Sequence, residues 1–181
     1  KRIQAARFGL VIGADGGARH ALTLGLAPHA VVGDLDSLTS QVRTALPAAD
    51  FVEHPREKDA TDLELALLYA LEKGATQVVV TGATGGGLDH TAANTLLPAH
   101  SLLKNTPVEL WHGAQTASII CPPGAAVPGA PGDSISLVPP AGDALNVMTT
   151  NLRYPLRGET LFFGATRGVM PSFCHVSRAM S

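Results

Sequence analysis

Charge is scarce in this chain. Asp, Glu, Lys and Arg make up 15% of its 181 residues, against roughly 25% in an average globular protein. The 13 Lys and Arg nearly balance the 15 Asp and Glu, leaving a net charge of -2. The basic stripe of a general nucleic-acid binder or of a protein held to an acidic membrane is therefore missing. No apolar run approaches the roughly 20 residues that span a bilayer. Residues 1–20 lack the layout of a signal peptide, which leads us to expect a cytoplasmic protein. Cysteine is almost absent: Cys121 and Cys174 stand far apart, so neither a disulfide framework nor a zinc site follows, and a reducing compartment fits. Aromatic residues amount to 4%, and the single Trp, Trp111, reads as a core residue rather than a stacking platform.

Familiar catalytic and phosphate-binding signatures are also missing. No Gly-Lys-Ser/Thr follows a glycine loop, which excludes a Walker A motif, and Gly13-Ala14-Asp15-Gly16-Gly17 lacks the glycine spacing of a dinucleotide fingerprint. No Ser/His/Asp or Cys/His arrangement has a recognisable local context, so covalent catalysis has no support.

What is present suffices for a folded core. Hydrophobic residues reach 45%, and the length suits one ordinary domain or two small ones. Three apolar runs, Phe8 to Ala14, Ala30 to Val32 and Gln77 to Thr81, are continuous rather than alternating, as in strands of a parallel sheet covered on both faces. Leu63, Ala66, Leu67, Ala70 and Leu71 share one helical face. Thr61 and Glu64 have capping-box spacing before that helix, and Lys73-Gly74 is a stop after it. A second helix is expected from about Thr91 towards Leu103, bent near Pro98. This is an α/β pattern. After Asn105 the character changes. Val108 to His112, the alternating Ser134 to Val138, Asn146 to Thr150 and Glu159 to Phe163 read as strands of a small antiparallel β unit.

Acidic residues gather where the strands end. Asp15, Asp34 and Asp36 follow apolar strands directly, and Asp89 follows the glycine loop after the third. In an open parallel sheet these loops share one edge, where ligands bind. Asp59 and Asp62, beside Lys58, open the capped helix and would face the same crevice. A single Asp in such a place more often caps a helix or forms a turn. The Asp34-Leu35-Asp36 pair and the second pair beside Lys58 weaken that explanation, because converging carboxylates need a hard cation such as Mg²⁺. The segment Gly82 to His90 would let backbone N–H groups and a helix N-terminus approach phosphate, the plainer alternative being a flexible loop. Arg153, Arg157 and Arg167 are spread out and solvated.

Together these motifs resemble the thiamine pyrophosphokinase family. The resemblance is carried by Ala14-Asp15-Gly16-Gly17-Ala18, Val32-Gly33-Asp34-Leu35-Asp36-Ser37, Lys58-Asp59-Ala60-Thr61-Asp62-Leu63-Glu64 and Gly82 to His90 with Asn94. In the second half it continues through Gly132 to Pro139 and Leu152 to Leu156. It implies an α/β N-terminal domain with a Rossmann-like parallel sheet, residues 1–105, binding ATP and Mg²⁺. A small all-β, sandwich-like domain, residues 106–181, would bind thiamine. The implied reaction transfers the pyrophosphoryl group of ATP to the thiamine hydroxyl, giving thiamine diphosphate and AMP in a homodimer whose site lies between subunits. Asp34, Asp36, Asp59 and Asp62 would hold the metal or order its waters, and Lys58 would steady phosphate charge. Asp15, Gly16, Gly17, Thr61, Gly85, Gly86, Asp89, His90 and Asn94 would contact ATP, and one carboxylate would accept the hydroxyl proton. Three departures stand out. Gly87 replaces the family's usual Arg, Met170-Pro171 replaces a Ser-Asn pair, and the usual opening and closing strands are not expected here. Two other classes fit the residues less well: a metal-dependent phosphohydrolase, and a nucleotide or thiamine-binding module without catalysis.

Overall fold

The computed structural model describes residues 2–169. The chain divides into two compact units, Lys1–Ile119 and Ile120–Ser181.

The first unit opens with a short helix, α1 (Arg2–Ala5), and then alternates strand and helix. Three parallel strands, β1 (Ile12–Ala14), β2 (Ala30–Gly33) and β3 (Asp50–Glu53), form one sheet in the order β1-β2-β3. Their crossovers are α2 (Gly17–Thr23) and α3 (Ser40–Ala45). All four residues of β2 are buried, as expected for a central parallel strand with a continuous apolar run. A second sheet holds β4 (Val78–Thr81), β5 (Val108–His112) and β6 (Gln115–Ser118), with β4 and β5 parallel and β6 returning antiparallel. The short helices α1, α2 and α3 and two strands, β3, bounded by acids, and β6, escape the sequence analysis.

The 11-residue helix α4 (Asp62–Glu72) ties the two sheets together. The Thr61 hydroxyl accepts from the Glu64 backbone N–H, and Gly74 follows at φ 81°, so the expected cap and stop are both in place. Leu67 packs with Val80, Leu103, Val108 and Leu110 in the core of the second sheet, while the same helix lies against β1 and β2. A separate core under the first sheet joins Ala18, Val31, Leu35, Val42 and Leu46. The next helix, α5 (Leu88–Leu96), begins three residues before the expected start at Thr91, because the chain becomes helical directly after Gly87. It gives way to 3-10 turns at Leu97–Ala99, where Pro98 sits, and at Ser101–Leu103. Trp111 is half-buried rather than a core residue, its ring covered by the Arg2 guanidinium at 3.6 Å and its Nε1 donating to Glu109.

Residues 106–119, expected in the second domain, belong to the first unit. The parallel pairing of Val108 with Val78 and of Leu110 with Val80 draws β5 onto β4, a non-local choice that composition does not register.

In the second unit the described residues hold one two-stranded antiparallel sheet, β7 (Ala144–Met148) and β8 (Arg157–Leu161), with register shifts along it. Ser134 to Val138 does not form the expected strand: only an isolated bridge occurs at Ser134. Leu137 N–H instead donates to Gly168 O, where the backbones approach so closely that a Cβ on Gly168 would collide with Leu137. The two strands also lie two residues earlier than the periodicity predicts. Met170-Pro171 and Cys174 lie outside the described residues.

Candidate active site

The ends of β1 and β2 create the site. Asp15 N–H donates to Val32 O at 2.8 Å, which continues the β1–β2 pairing one residue past β1 and fixes Asp15 beside the end of β2. Its backbone then turns sharply at φ 43° into α2. Gly13 lets this turn pack tightly, since a Cβ there would fall 2.7 Å from the backbone of Ala18.

The next loop uses a different device. Leu35 adopts φ 60°, a conformation that costs a non-glycine residue about 1 kcal/mol or more. Its side chain is nevertheless buried in the core with Val31 and Val42, and that burial offsets the strain. Turning Leu35 inward leaves Asp34 and Asp36 at the mouth of the strand, where Asp36 N–H donates to Asp34 Oδ1 at 3.3 Å. Oxygens of Asp15, Asp34 and Asp36 all lie within 4.8 Å of one another, the only such grouping of three potential ligands among the described residues.

Asp62 enters from the first turn of α4. Gly33 makes room for it: at φ 150°, a Cβ would fall 2.9 Å from Asp62 Oδ1 and 3.1 Å from Asp15 Cβ. Lys58 Nζ lies 2.7 Å from Asp62 Oδ1, and its side chain is only 15% exposed. The hydrogen bond to Asp62 raises the Lys58 pKa above the usual lysine range against the opposing effect of burial, and the charges of Asp62, Asp34 and Asp15 add to the rise. Arg56 reaches Asp36 Oδ2 at 3.1 Å from outside, with its own side chain 81% exposed.

The group fits a hard divalent cation. All its donors are carboxylate oxygens, the set such an ion prefers. Asp15 Oδ1 is shut off from solvent with no hydrogen-bond partner among the described residues, a costly state for a charged oxygen unless a cation sits beside it. Asp15, expected as an ATP contact, thus joins Asp34 and Asp36. Asp62 stands next to them, whereas Asp59 is exposed and outside the group. Spacing alone does not reveal which of these carboxylates converge. The signal for Asp15 was its place directly after a strand, and Asp59 differs from Asp62 in preceding the helix rather than starting it.

The glycine loop lies beyond β4, on the side of α2, where a Cβ on Gly82 would come within 4.0 Å of His20 Nδ1. Gly85, Gly86, Asp89 and His90 are exposed. Gly87 caps α5 without a side-chain hydrogen bond, so the first N–H groups of the helix are free to meet an anion. Asp89 Oδ1 fills the space from which a side chain at Gly87 would begin. Asn94 and Thr61, both expected to touch ATP, have structural work. Asn94 Nδ2 donates to Ala83 O at 3.0 Å, anchoring the loop to α5, and Thr61 caps α4. Gly16 lies against Ser37, so the loops after β1 and β2 run side by side, and Gly17 has open space around it.

Comparison with known proteins identifies the family. The family "Thiamin pyrophosphokinase, catalytic domain" matches residues 4–110. This chain belongs to the thiamine pyrophosphokinase family. It is 32% identical over 170 residues to the thiamine pyrophosphokinase of Bacillus subtilis (strain 168), covering 92% of this chain and 79% of that protein. The crystal structure of thiamine pyrophosphokinase from Bacillus subtilis superposes with a TM-score of 0.80 at 29% identity, over 96% of this chain and 83% of that one. The thiamin pyrophosphokinase of Geobacillus thermodenitrificans shares the fold, with a TM-score of 0.68 at 23% identity over 95% and 80% of the two chains. The family match ends at Leu110, within β5, and so contains every carboxylate of the site.

Proposed function

We propose that this chain is a thiamine pyrophosphokinase, moving the pyrophosphoryl group of ATP as a unit onto the hydroxyl of thiamine and releasing AMP. The observation that carries this function is the convergence of Asp15, Asp34 and Asp36 at adjacent strand ends, within the segment matched by the catalytic family.

In this mechanism Asp15, Asp34 and Asp36 would hold Mg²⁺, with Asp62 and Asp59 at the entrance to α4 available to order its waters. Bound there, Mg²⁺ supplies neutralisation of the triphosphate charge. The loop Gly85-Gly86 and the free N–H groups at the start of α5 receive phosphate oxygens, and Asp89 and His90 line the same exposed mouth. Asn94 keeps that loop on its helix. Gly16 and Gly17 leave the β1 loop open to the nucleotide. Lys58 meets phosphate charge from the side of Asp62, and a nearby carboxylate takes the thiamine hydroxyl proton as the oxygen attacks the β-phosphorus.

The first unit acts as the Rossmann-like ATP domain and the second as the sandwich-like thiamine domain. The enzyme works as a cytoplasmic homodimer with thiamine bound between subunits. Supporting the dimer, no residue of α5 is buried, and Leu88 and Leu96 are 86% and 50% exposed, an apolar surface that a partner would cover. No described helix is long and apolar enough to cross a membrane.

Incubation with thiamine, ATP and Mg²⁺, followed by chromatography of the nucleotides, tests the function. Thiamine-dependent AMP together with thiamine diphosphate is expected. ADP with thiamine monophosphate, or phosphate release indifferent to thiamine, would overturn it.

A further inference from the structure

Carboxylates this close together repel one another unless a cation stands among them. Two basic side chains touch the site, and they are not equivalent. Arg56 pairs with Asp36 but is 81% exposed, so water screens its charge. Lys58 is 15% exposed and lies 2.7 Å from Asp62 Oδ1. The missing Cβ of Gly33 lets Asp62 lie close to Asp15, so the Lys58 ammonium, paired with Asp62, stands beside the group and feels the charges of Asp34 and Asp15. A divalent cation entering there meets a charge of its own sign in a partly enclosed place.

We propose that Lys58 is the resident counter-cation of the carboxylate group. Its ammonium and a divalent cation compete for the same carboxylates, and loading the cation releases Lys58 from Asp62 towards the site where phosphate binds. Only that destination rests on the pyrophosphokinase function; the competition itself rests on the carboxylates and Lys58 alone. Lys58 is accordingly a positioning residue. It offsets the carboxylates' mutual repulsion while the site is empty, and its release couples cation entry to the arrival of phosphate.

Mn²⁺ alone serves as the probe, with free Mn²⁺ read by electron paramagnetic resonance at neutral pH. Lys58→Met is expected to bind Mn²⁺ tighter, on the order of tenfold, because one positive charge has left the site. Lys58→Arg, which keeps the charge, is expected to stay near the wild-type affinity, and Asp34→Asn to lose the binding. A merely structural lysine predicts the opposite sign for Lys58→Met, so unchanged or weaker binding overturns the proposal. Absence of saturable Mn²⁺ binding in both proteins overturns it as well. The wild-type chain gives a second reading that does not depend on a variant folding. Acylation of Lys58 by an amine-reactive reagent, followed by mass spectrometry, is expected to speed up when Mn²⁺ is added, with exposed Lys73 and Lys104 as internal references. An unchanged or slower rate at Lys58 refutes the release. Tightened Mn²⁺ binding in a protein that makes no thiamine-dependent AMP would remove the pyrophosphokinase function and leave Lys58 standing. The reverse pair of results would remove Lys58 alone.

Discussion

Adding one methyl group at Gly33 is expected to damage the site and the fold together. Gly33 ends β2 at φ 150°, a conformation that an L-residue adopts at a cost of about 1–3 kcal/mol. The new carbon would also fall 2.9 Å from Asp62 Oδ1 and 3.1 Å from Asp15 Cβ. The Asp62 carboxylate can swing aside, but Asp15 is tied by its backbone to Val32 and yields less, adding about 1 kcal/mol of overpacking. Gly33→Ala should therefore lose about 2–4 kcal/mol, which lowers the melting temperature of a chain this long by roughly 5–15 °C. Displacing Asp62 also breaks its ion pair with Lys58. Thermal unfolding by circular dichroism gives the first quantity, and Mn²⁺ titration of the folded variant gives the second. Gly17→Ala is the control, because Gly17 begins α2 with nothing within 4 Å of an added Cβ. A Gly33→Ala protein that melts within about 2 °C of wild type and binds Mn²⁺ normally would refute this account of why a glycine stands there.

Other substitutions separate chemistry from scaffolding. Asp34→Ala should abolish thiamine-dependent AMP formation while leaving the melting temperature nearly unchanged, since Asp34 is half-buried and its side chain accepts the turn bond from Asp36; near-normal turnover would remove it from the metal ligands. Thr61→Ala should cost about 1 kcal/mol through loss of the α4 cap, seen in urea unfolding, whereas Thr61→Ser should restore most of it. Asn94→Ala frees the glycine loop from α5 and should raise the KM for ATP several-fold with the KM for thiamine less affected; equal changes in both would place Asn94 elsewhere in the mechanism.

Much of the first unit could be read along the chain, because its signals are local. The helix α4 carries its own start and stop, and β2 is apolar from end to end. Pairing was harder, since the partner of a strand is chosen across tens of residues. Val108 to His112 looks like any short strand until β4 is seen beside it. Alternation at Ser134 to Val138 failed for a related reason: it describes which faces are apolar, not whether the segment pairs regularly enough to form a ladder. At the site, the strand-end rule located Asp15, Asp34 and Asp36, but their convergence depends on backbone turns at Asp15 and Leu35 that leave no mark in residue type. The hydroxyl of Thr61 and the amide of Asn94 could equally serve ligand or scaffold, and geometry assigns their present hydrogen bonds to the scaffold.

The shared use of α4 has a consequence for how this protein can vary. Leu67 lies five residues from Asp62, about 7.5 Å along the helix, and its environment is set by Val80, Val108 and Leu110 of the other sheet. A helix is stiff over that distance, so a shift at one end is delivered to the other. Volume changes at these apolar positions should therefore appear as altered turnover before they appear as unfolding. Residues that never approach a substrate would be constrained by the reaction, and compensating changes should occur in pairs across the helix, one beneath each sheet.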